Sequence, residues 1–390
     1  MEEVVVIVGA GPSGLATSAC LSYLSISHVI LEREDCYASL WKKRSYDRMH
    51  IHLAKEFCSL PYVPHSSTTP IFMSKDIFVS YIDNYVSKFN MNIRYYCSVE
   101  SSCYDVTEGK WRIEVKNILS GEMEAYIAEF LVVATGANSE SFIPALSGLN
   151  TFPGEIVHAS EYKSGSRYQD KEVLVVGCGN SGMEISYDIS DFGAHTIIVI
   201  RSPFHVLTKE MVYCGMSMLK YLPVKMVDPI INMLAGLFYG DLSKYGIVRP
   251  VKGPFQLKEE KGRSPVIDVG TVGKIIAGDI KVFPSIAKID GSTVEFENGA
   301  QKRFDAIVFA TGYRSKAASW LKDYQYIVNG DGMPKNDYPN HWKGQCGVYC
   351  AGLLQRGLFG ISEDARAIAN DIAKVIQDRK KEALPMLHNV

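Results

Sequence analysis

Apolar and polar positions follow the same order in two separate stretches of the chain. Residues 4–8 and 172–176 are largely apolar runs of strand length, a pattern typical of parallel strands buried on both faces. A glycine-rich turn and a helical stretch follow each run, and residues 28–31 and 196–200 then predict the next strands. The repeated order of strand, turn, helix and strand predicts two β-α-β units.

A second repeat extends this prediction. The apolar runs 130–133 and 306–309 each lead into the tripeptide Ala-Thr-Gly. The two tripeptides are Ala134, Thr135 and Gly136, and Ala310, Thr311 and Gly312. Together the repeats predict an α/β fold with two Rossmann-like dinucleotide-binding domains, one inserted into the other. We expect the first domain to comprise residues 1–155 and 285–390, and the inserted domain to comprise residues 156–284.

Each β-α-β unit contains a G-x-G-x-x-G loop between its strand and its helix. The first glycine permits the tight turn, the second lets the backbone approach a pyrophosphate, and the third lets helix and strand pack closely. The pattern alone is weak, but the preceding strand and the following helix favour a dinucleotide site. The loops are Gly9, Ala10, Gly11, Pro12, Ser13 and Gly14, and Gly177, Cys178, Gly179, Asn180, Ser181 and Gly182.

The residue after the second strand of each unit distinguishes the two ligands. Glu32, which is followed by Arg33, suits ribose hydroxyls and would repel a 2′-phosphate. Arg201, followed by Ser202, suits a 2′-phosphate. We therefore expect FAD at the first loop and NADPH at the second, with electrons passing between them. A surface carboxylate at Glu32 and a salt-bridged Arg201 are the alternatives.

Composition and charge exclude several classes of protein. Lysine and arginine number 41 against 43 aspartate and glutamate, so a net charge of −2 gives no global attraction for nucleic acid. The longest uncharged apolar stretch, residues 229–240, is shorter than the roughly 20 residues of a membrane span and predicts a buried helix. Nine cysteines without a framework, and no secretory signal, favour a cytoplasmic protein. No ligand set for a metal is apparent.

A longer motif lies between the two glycine loops. Phe152, Gly154, His158 and Tyr162 fit the pattern F-x-G-x-x-x-H-x-x-x-Y, which resembles the identifying motif of the class B flavin-dependent monooxygenases. The resemblance implies that this segment supports the link between two nucleotide domains. We therefore interpret His158 and Tyr162 as structural or cofactor-adjacent residues that take no part in the chemistry.

Further segments resemble the plant YUCCA flavin monooxygenases. They are residues 46–58, 158–165, 177–184, 309–313 and 356–360. The resemblance implies oxidative decarboxylation of indole-3-pyruvate to the auxin indole-3-acetate, with NADPH reducing FAD and dioxygen reacting through a flavin peroxide. The substrate would be a small molecule, and neither nucleic acid nor a transmembrane segment is expected.

The same resemblance suggests individual site residues. Residues 52–55 align with the place where other class B enzymes put an asparagine facing the flavin. His52 would hydrogen-bond a peroxide or a substrate carboxylate, and Lys55 would contact flavin or NADP. A packed histidine and a solvated lysine are the alternatives. Leu40 and Trp41, which lack the usual preceding glycines, and the two Ala-Thr-Gly tripeptides are expected beside the cofactors.

Departures from the YUCCA pattern leave other functions open. Residues 137–139 read Ala-Asn-Ser where Glu-Asn is expected, and Ala54 replaces a proline. Residues 210–260 would border a substrate entrance, where identity of substrate transfers least well. An N- or S-oxygenase of a small amine or thioether is one alternative. A flavoprotein that acts as an NADPH oxidase or sensor is another. A homodimer and peripheral contact with the endoplasmic reticulum also stay open.

Overall fold

A computed structural model describes residues 1–383, so residues 384–390 of the expected first domain lie outside it. The strands are β1 (Glu2–Val8), β2 (His28–Leu31), β3 (Ile93–Arg94), β4 (Cys97–Asp105), β5 (Lys110–Asn117), β6 (Met123–Val133), β7 (Glu140–Ser141), β8 (Glu155–His158), β9 (Glu172–Val176), β10 (His195–Val199), β11 (Val206–Leu207), β12 (Val266–Ile267), β13 (Ile280–Phe283), β14 (Ile286–Asp290), β15 (Thr293–Phe296), β16 (Gln301–Arg303), β17 (Ala306–Phe309), β18 (Tyr313–Arg314) and β19 (Val348–Cys350).

The α-helices are α1 (Pro12–Tyr23), α2 (Ser39–Lys43), α3 (Lys75–Phe89), α4 (Asn180–Asp191), α5 (Lys209–Met218), α6 (Val224–Tyr239), α7 (Pro254–Lys261), α8 (Thr271–Ala277), α9 (Ala317–Trp320) and α10 (Gly357–Ala383). Short 3₁₀ turns occupy Lys55–Phe57, Leu149–Thr151, Gly165–Tyr168, Ser243–Tyr245 and Tyr324–Tyr326. The chain divides into two compact units. Unit 1 contains residues 1–43, 55–140 and those from 313 onward, and unit 2 contains residues 44–54 and 141–312.

Unit 1 is built on a mixed sheet with the strand order β3-β2-β1-β6-β5-β4, and β19 pairs with β6. Strands β3, β2, β1 and β6 pair in parallel in that order, and β19 pairs in parallel with β6. Strands β4, β5 and β6 form an antiparallel ladder. Residues 5–8 of β1 are buried, and Val6 and Val8 share a core with residues of β5, β6 and α9. Helix α1 follows β1 directly and packs against α10.

Unit 2 is built on a parallel sheet with the strand order β13-β10-β9-β17-β8. Strands β14, β15 and β16 form a separate antiparallel sheet. Helices α5, α6 and α7 pack around a core of their own, centred on Leu207, Val227 and Ile231. The predicted α/β fold with two Rossmann-like units is therefore confirmed, and β10 begins and ends one residue earlier than expected.

The units differ in extent from the expected domains. Residues 141–155, 285–312 and 44–54 all lie in unit 2, whereas the sequence repeats predict that they belong to the first domain. Long-range packing accounts for the difference, because β17 is inserted between β8 and β9. Residues of β14 and β15 likewise share a core with β9 and β10, and Tyr46 shares another with β9.

The stretch 229–240, expected to be a buried helix, forms part of α6 but is buried on one face only. Val227, Ile231 and Ala235 are buried, whereas Leu237 and Phe238 are 78% and 66% exposed. Among residues 1–383, no helix combines the length and the apolarity that a bilayer crossing needs.

Candidate functional sites

The first glycine loop connects β1 to α1, and backbone packing determines two of its three glycines. Gly9 has a φ of +105°, and a Cβ there would lie 2.6 Å from the carbonyl oxygen of Ala134. A Cβ at Gly14 would overlap the carbonyl oxygen of Gly9. A Cβ at Gly11, in contrast, would meet no atom within 4 Å. The second glycine of the loop therefore faces open space, as a close approach by a phosphate requires.

The second loop, between β9 and α4, repeats this geometry. Gly177 has a φ of +111°, and a Cβ there would lie 2.5 Å from the carbonyl oxygen of Ala310. A Cβ at Gly182 would overlap the carbonyl oxygen of Gly177, and one at Gly179 would meet nothing within 4 Å. Each Ala-Thr-Gly tripeptide thus packs against the glycine loop of its own unit.

Both helices that follow the loops begin without a side-chain cap. Gly11 and Gly179 are the extended N-cap residues of α1 and α4, and neither can offer an acceptor to the first amides. In unit 1 the buried hydroxyl of Thr135 has no hydrogen-bond partner among the described residues. The equivalent hydroxyl of Thr311 donates to the carbonyl of Phe142. Uncapped amides beside open space suit a dinucleotide pyrophosphate in both units.

Glu32 is held inside unit 1 and is not a surface carboxylate. Its side chain is only 7% exposed. One carboxylate oxygen accepts a hydrogen bond from the amide of Ala10 at 2.7 Å, and the other accepts from the amide of Glu34 at 3.0 Å. Glu32 therefore fixes the glycine loop, and each oxygen keeps a lone pair for a ribose hydroxyl.

The other residues expected at the first loop have varied surroundings. Arg33 donates to the carbonyl of Ser139 at 3.4 Å. Trp41 packs edge-to-face on Phe78, with ring centroids 4.6 Å apart, whereas Leu40 is 36% exposed. Thus Trp41 is anchored by the fold, and Leu40 presents apolar surface.

Arg201 stands just past the end of β10 and is exposed. It makes no hydrogen bond or ion pair to the described residues, so the alternative of a salt-bridged arginine is not observed. Burial raises the pKa of the Cys178 thiol to about 11, and the positive charges of Arg263 and Arg201 oppose that rise. Both arginines therefore act electrostatically on the second loop. Ser202, which follows Arg201, is half-buried.

Two polar residues of the second loop are engaged by unit 2 itself. The Asn180 side-chain oxygen accepts a hydrogen bond from the amide of Ile267 at 2.7 Å. Ser181 hydrogen-bonds the hydroxyl of Tyr46. These side chains link the loop to β12 and to residues 44–54.

Lys55 differs from both alternatives that the sequence suggested. Its ammonium group donates to the carbonyls of Ser66, Ser67 and Thr69 at 2.9, 3.1 and 2.6 Å. An ammonium group has three N–H donors, so one loop of unit 1 uses them all. The side chain is therefore neither solvated nor available to a cofactor in this conformation.

His52 lies in unit 2 beside a buried acidic residue of α4. Its Nε2 is 3.3 Å from a carboxylate oxygen of Glu184, at angles outside hydrogen-bond geometry. The same oxygen accepts a hydrogen bond of 2.6 Å from Tyr46. Burial, and then the negative charge of Glu184, raise the pKa of Tyr46 well above its ordinary value, so Tyr46 is a neutral donor.

The histidine and tyrosine of the long motif are structural in unit 2. His158 Nε2 lies 3.1 Å from the carbonyl oxygen of Gly312, and burial lowers the pKa of this imidazole. The hydroxyl of Tyr162 donates to Asp188 at 2.5 Å in a buried hydrogen bond. His158 thus links β8 to the second Ala-Thr-Gly tripeptide, and Tyr162 links the following turn to α4.

Glu184 and Asp188 were not singled out from the sequence. Glu184 is 2% and Asp188 is 8% exposed, and both point from α4 toward aromatic hydroxyls. Two acidic residues one turn apart in a helix are usually a solvated face, so only their position directly after a glycine loop could have marked them. Within residues 1–383, no group of three or more His, Cys, Asp and Glu side chains is arranged to hold a metal ion.

Comparison with known proteins identifies the family. A family model described as flavin-binding monooxygenase-like matches residues 2–330. A probable indole-3-pyruvate monooxygenase, YUCCA10 of Arabidopsis thaliana, is 56% identical over 381 residues, which are 97% of this chain and 100% of that protein. This chain belongs to the YUCCA group of flavin-binding monooxygenases. Its cofactor is accordingly a flavin.

Other YUCCA proteins are similar to this chain over nearly its whole length and over most of their own. Indole-3-pyruvate monooxygenase YUCCA6 of Arabidopsis thaliana is 44% identical over 95% of this chain and 90% of its own. Indole-3-pyruvate monooxygenase YUCCA1 of Oryza sativa subsp. japonica is 43% identical over 98% and 94%. The resemblance inferred from the sequence motifs is therefore confirmed.

Solved structures confirm the fold of this YUCCA-type chain. The flavin-containing monooxygenase from Stenotrophomonas maltophilia has a TM-score of 0.71 at 20% identity, covering 96% of this chain and 99% of its own. A cyclohexanone monooxygenase has a TM-score of 0.69 at 17% identity, covering 97% and 88%. At such identities the likeness concerns the fold alone.

The loop geometry of the YUCCA-type chain predicts different effects for its glycines. Gly14→Ala should cost about 3 kcal/mol through overpacking against Gly9 and lower Tm by roughly 5 °C. Gly11→Ala should leave Tm of the cofactor-free protein within about 2 °C, because the new methyl group meets no atom. Differential scanning calorimetry of the two apo-variants measures the difference, and equal destabilisation would contradict this account of the loop.

Proposed function

We propose that this chain is an NADPH- and FAD-dependent monooxygenase that converts indole-3-pyruvate to indole-3-acetate and carbon dioxide. The observation that supports two cofactors is the repeated loop geometry, with the carboxylate of Glu32 at one loop and the unpaired guanidinium of Arg201 at the other. The substrate is inferred from the names of relatives that are similar over nearly the whole chain. The reaction consumes one NADPH, one proton and one dioxygen, and it releases NADP⁺ and water.

FAD is assigned to unit 1. The pyrophosphate would lie over Gly11 at the uncapped end of α1, and Glu32 would accept hydrogen bonds from ribose hydroxyls. The hydroxyl of Thr135, which has no hydrogen-bond partner among the described residues, could hydrogen-bond the bound FAD. When bound and reduced, the flavin supplies the reactivity toward dioxygen. The residues proposed to hold FAD are 9–14, Glu32, Arg33, Leu40, Trp41 and 134–136.

NADPH is assigned to unit 2. Its pyrophosphate would lie over Gly179 at the uncapped end of α4, and Arg201 would pair with the 2′-phosphate. Ser202 follows Arg201 and can donate a further hydrogen bond. The residues proposed to hold NADPH are 177–182, Arg201, Ser202 and 310–312.

His52 is the side chain that we assign to the carboxylate of the 2-oxo acid. Its side chain is 18% exposed, and its Nε2 has no hydrogen-bond partner among the described residues. An imidazole N–H can donate to a carboxylate. No such role is proposed for Lys55, because one loop already uses its three donors.

Substitution of the open glycines should remove the cofactors separately. Gly11→Val should abolish retention of FAD, because a side chain would fill the space that the phosphate needs. Gly179→Val should keep FAD but raise KM for NADPH at least about tenfold. Flavin absorbance after gel filtration and steady-state kinetics provide the measurements. Loss of FAD in the Gly179 variant alone would reverse the assignment.

Arg201→Ala should discriminate between the nicotinamide cofactors. Loss of a charged hydrogen bond of about 1.5–3 kcal/mol corresponds to a rise in KM for NADPH of about 10- to 100-fold. KM for NADH, which has no 2′-phosphate, should change less than about twofold. Arg303→Ala, which changes an exposed arginine of β16 outside both proposed cofactor sites, provides the matched control. Equal weakening of NADH and NADPH would show that Arg201 does not bind the phosphate.

The reaction is tested by product identification. With NADPH and air, the holoenzyme should convert indole-3-pyruvate to indole-3-acetate in a ratio near one per NADPH. Indole-3-lactate, which lacks the carbonyl, should not react and serves as the control. Hydrogen peroxide as the main product would indicate an NADPH oxidase. A gain of one oxygen on an amine or thioether without loss of carbon dioxide would favour an N- or S-oxygenase instead.

A further inference from the structure

Helix α4 carries two buried carboxylates one turn apart, and their surroundings differ. Glu184 and Asp188 are 2% and 8% exposed. Each accepts a hydrogen bond from a buried tyrosine hydroxyl, from Tyr46 at 2.6 Å and from Tyr162 at 2.5 Å. Asp188 also accepts a hydrogen bond from the amide of Gly165 at 2.8 Å. Glu184 alone has an imidazole nearby, since His52 Nε2 lies 3.3 Å from the oxygen that accepts from Tyr46. The helix thus provides an internal comparison for the effect of the histidine.

The two ring nitrogens of His52 are in different situations. Nε2 is buried, and its nearest charged group is the Glu184 carboxylate. Nδ1 makes no hydrogen bond to the described residues, and the side chain keeps 18% of its exposure. A carboxylate beside one ring nitrogen favours a proton there and leaves the other nitrogen for a ligand.

The charged and titratable groups around this pair are few. Tyr46 contributes a neutral hydroxyl, and Asp188 lies one turn further along α4. Arg48 is 3.8 Å from Asp188 and stacks on the ring of Tyr187 at 4.3 Å. The carboxylate of Glu184 thus faces the Tyr46 hydroxyl and the His52 ring, whereas Asp188 has Arg48 beside it.

We propose that Glu184 is the positioning residue of His52. It keeps Nε2 protonated, so that the proton taken up at Nδ1 is the one that meets an anionic ligand group, here the carboxylate of a 2-oxo acid. This inference rests on the function proposed above. In this assignment Glu184 acts through His52 and not on the substrate or the cofactor, and no covalent bond changes.

The ¹⁵N spectrum of the histidines tests the pairing without turnover. In the holoenzyme labelled with ¹⁵N-histidine, the signal of His52, assigned by its loss in His52→Gln, should show a protonated Nε2. Glu184→Gln should shift the proton distribution toward Nδ1, whereas Asp188→Asn should leave it unchanged. A neutral ring protonated at Nδ1 in the wild-type protein would overturn the proposal even if Glu184→Gln failed to fold.

Kinetics test the consequence for the substrate. Glu184→Gln should raise KM for indole-3-pyruvate on the order of tenfold, the lower end of what loss of an outer partner costs at metal-bound histidines. KM for NADPH should stay within about twofold, and Asp188→Asn should alter neither constant. In a His52→Gln background Glu184→Gln should have no further effect on KM, because the two residues act as one unit.

The outcomes separate this proposal from the proposed function. Equal increases in KM for Glu184→Gln and Asp188→Asn would show that α4 carboxylates are merely structural, which overturns the inference. An additive effect of the two substitutions at 52 and 184 would do the same. If the wild-type enzyme does not convert indole-3-pyruvate, the proposed function fails, and the ¹⁵N spectrum still decides whether Glu184 sets the protonation of His52.

Discussion

The contact on which the rest of the structure depends is the approach of a glycine to the end of a neighbouring strand. Gly9 and Gly177 each come so close to the carbonyl of an Ala-Thr-Gly tripeptide that a Cβ would not fit. That approach lets the chain turn from strand to helix at the carboxyl end of an interior strand of each sheet. The helix then begins without a capping side chain, and its first amides face the space above the second glycine. A requirement of backbone packing thus creates both an opening and the donors that an anion needs.

The two loops share one backbone geometry, and the units differ in the charge placed beside the loop. Glu32 is buried and holds the amide of Ala10, so unit 1 places fixed negative charge at the loop. Arg201 is exposed and unpaired, so unit 2 offers positive charge that nothing in the described chain neutralises. In the function proposed above, this difference of one residue at the end of the next strand separates a ribose hydroxyl from a 2′-phosphate.

Local sequence patterns predicted the parts of the fold that local physics determines. The strands before each loop and both glycine patterns were found because apolar runs and glycines act within a few residues. The extents of the units were not, because β17 enters a sheet between strands far away in sequence. Lys55 shows the same limit at the level of a side chain. Its three carbonyl partners lie 11 to 14 residues further along the chain, and no spacing rule marks them.

Residues 44–54 bring the proposed site residue His52 next to a buried acid that local sequence patterns do not mark. This segment leaves unit 1 after α2 and packs in unit 2, where Tyr46 and His52 converge on one oxygen of Glu184. Burying a carboxylate costs free energy unless hydrogen bonds or charges compensate it. Burial of Glu184 therefore depends on a donor such as the Tyr46 hydroxyl. Because α4 also begins at the second glycine loop, one rigid helix carries both the uncapped amides and the carboxylate beside His52. The position of the histidine is therefore linked to the second glycine loop through a single element, because α4 carries the carboxylate that lies beside it.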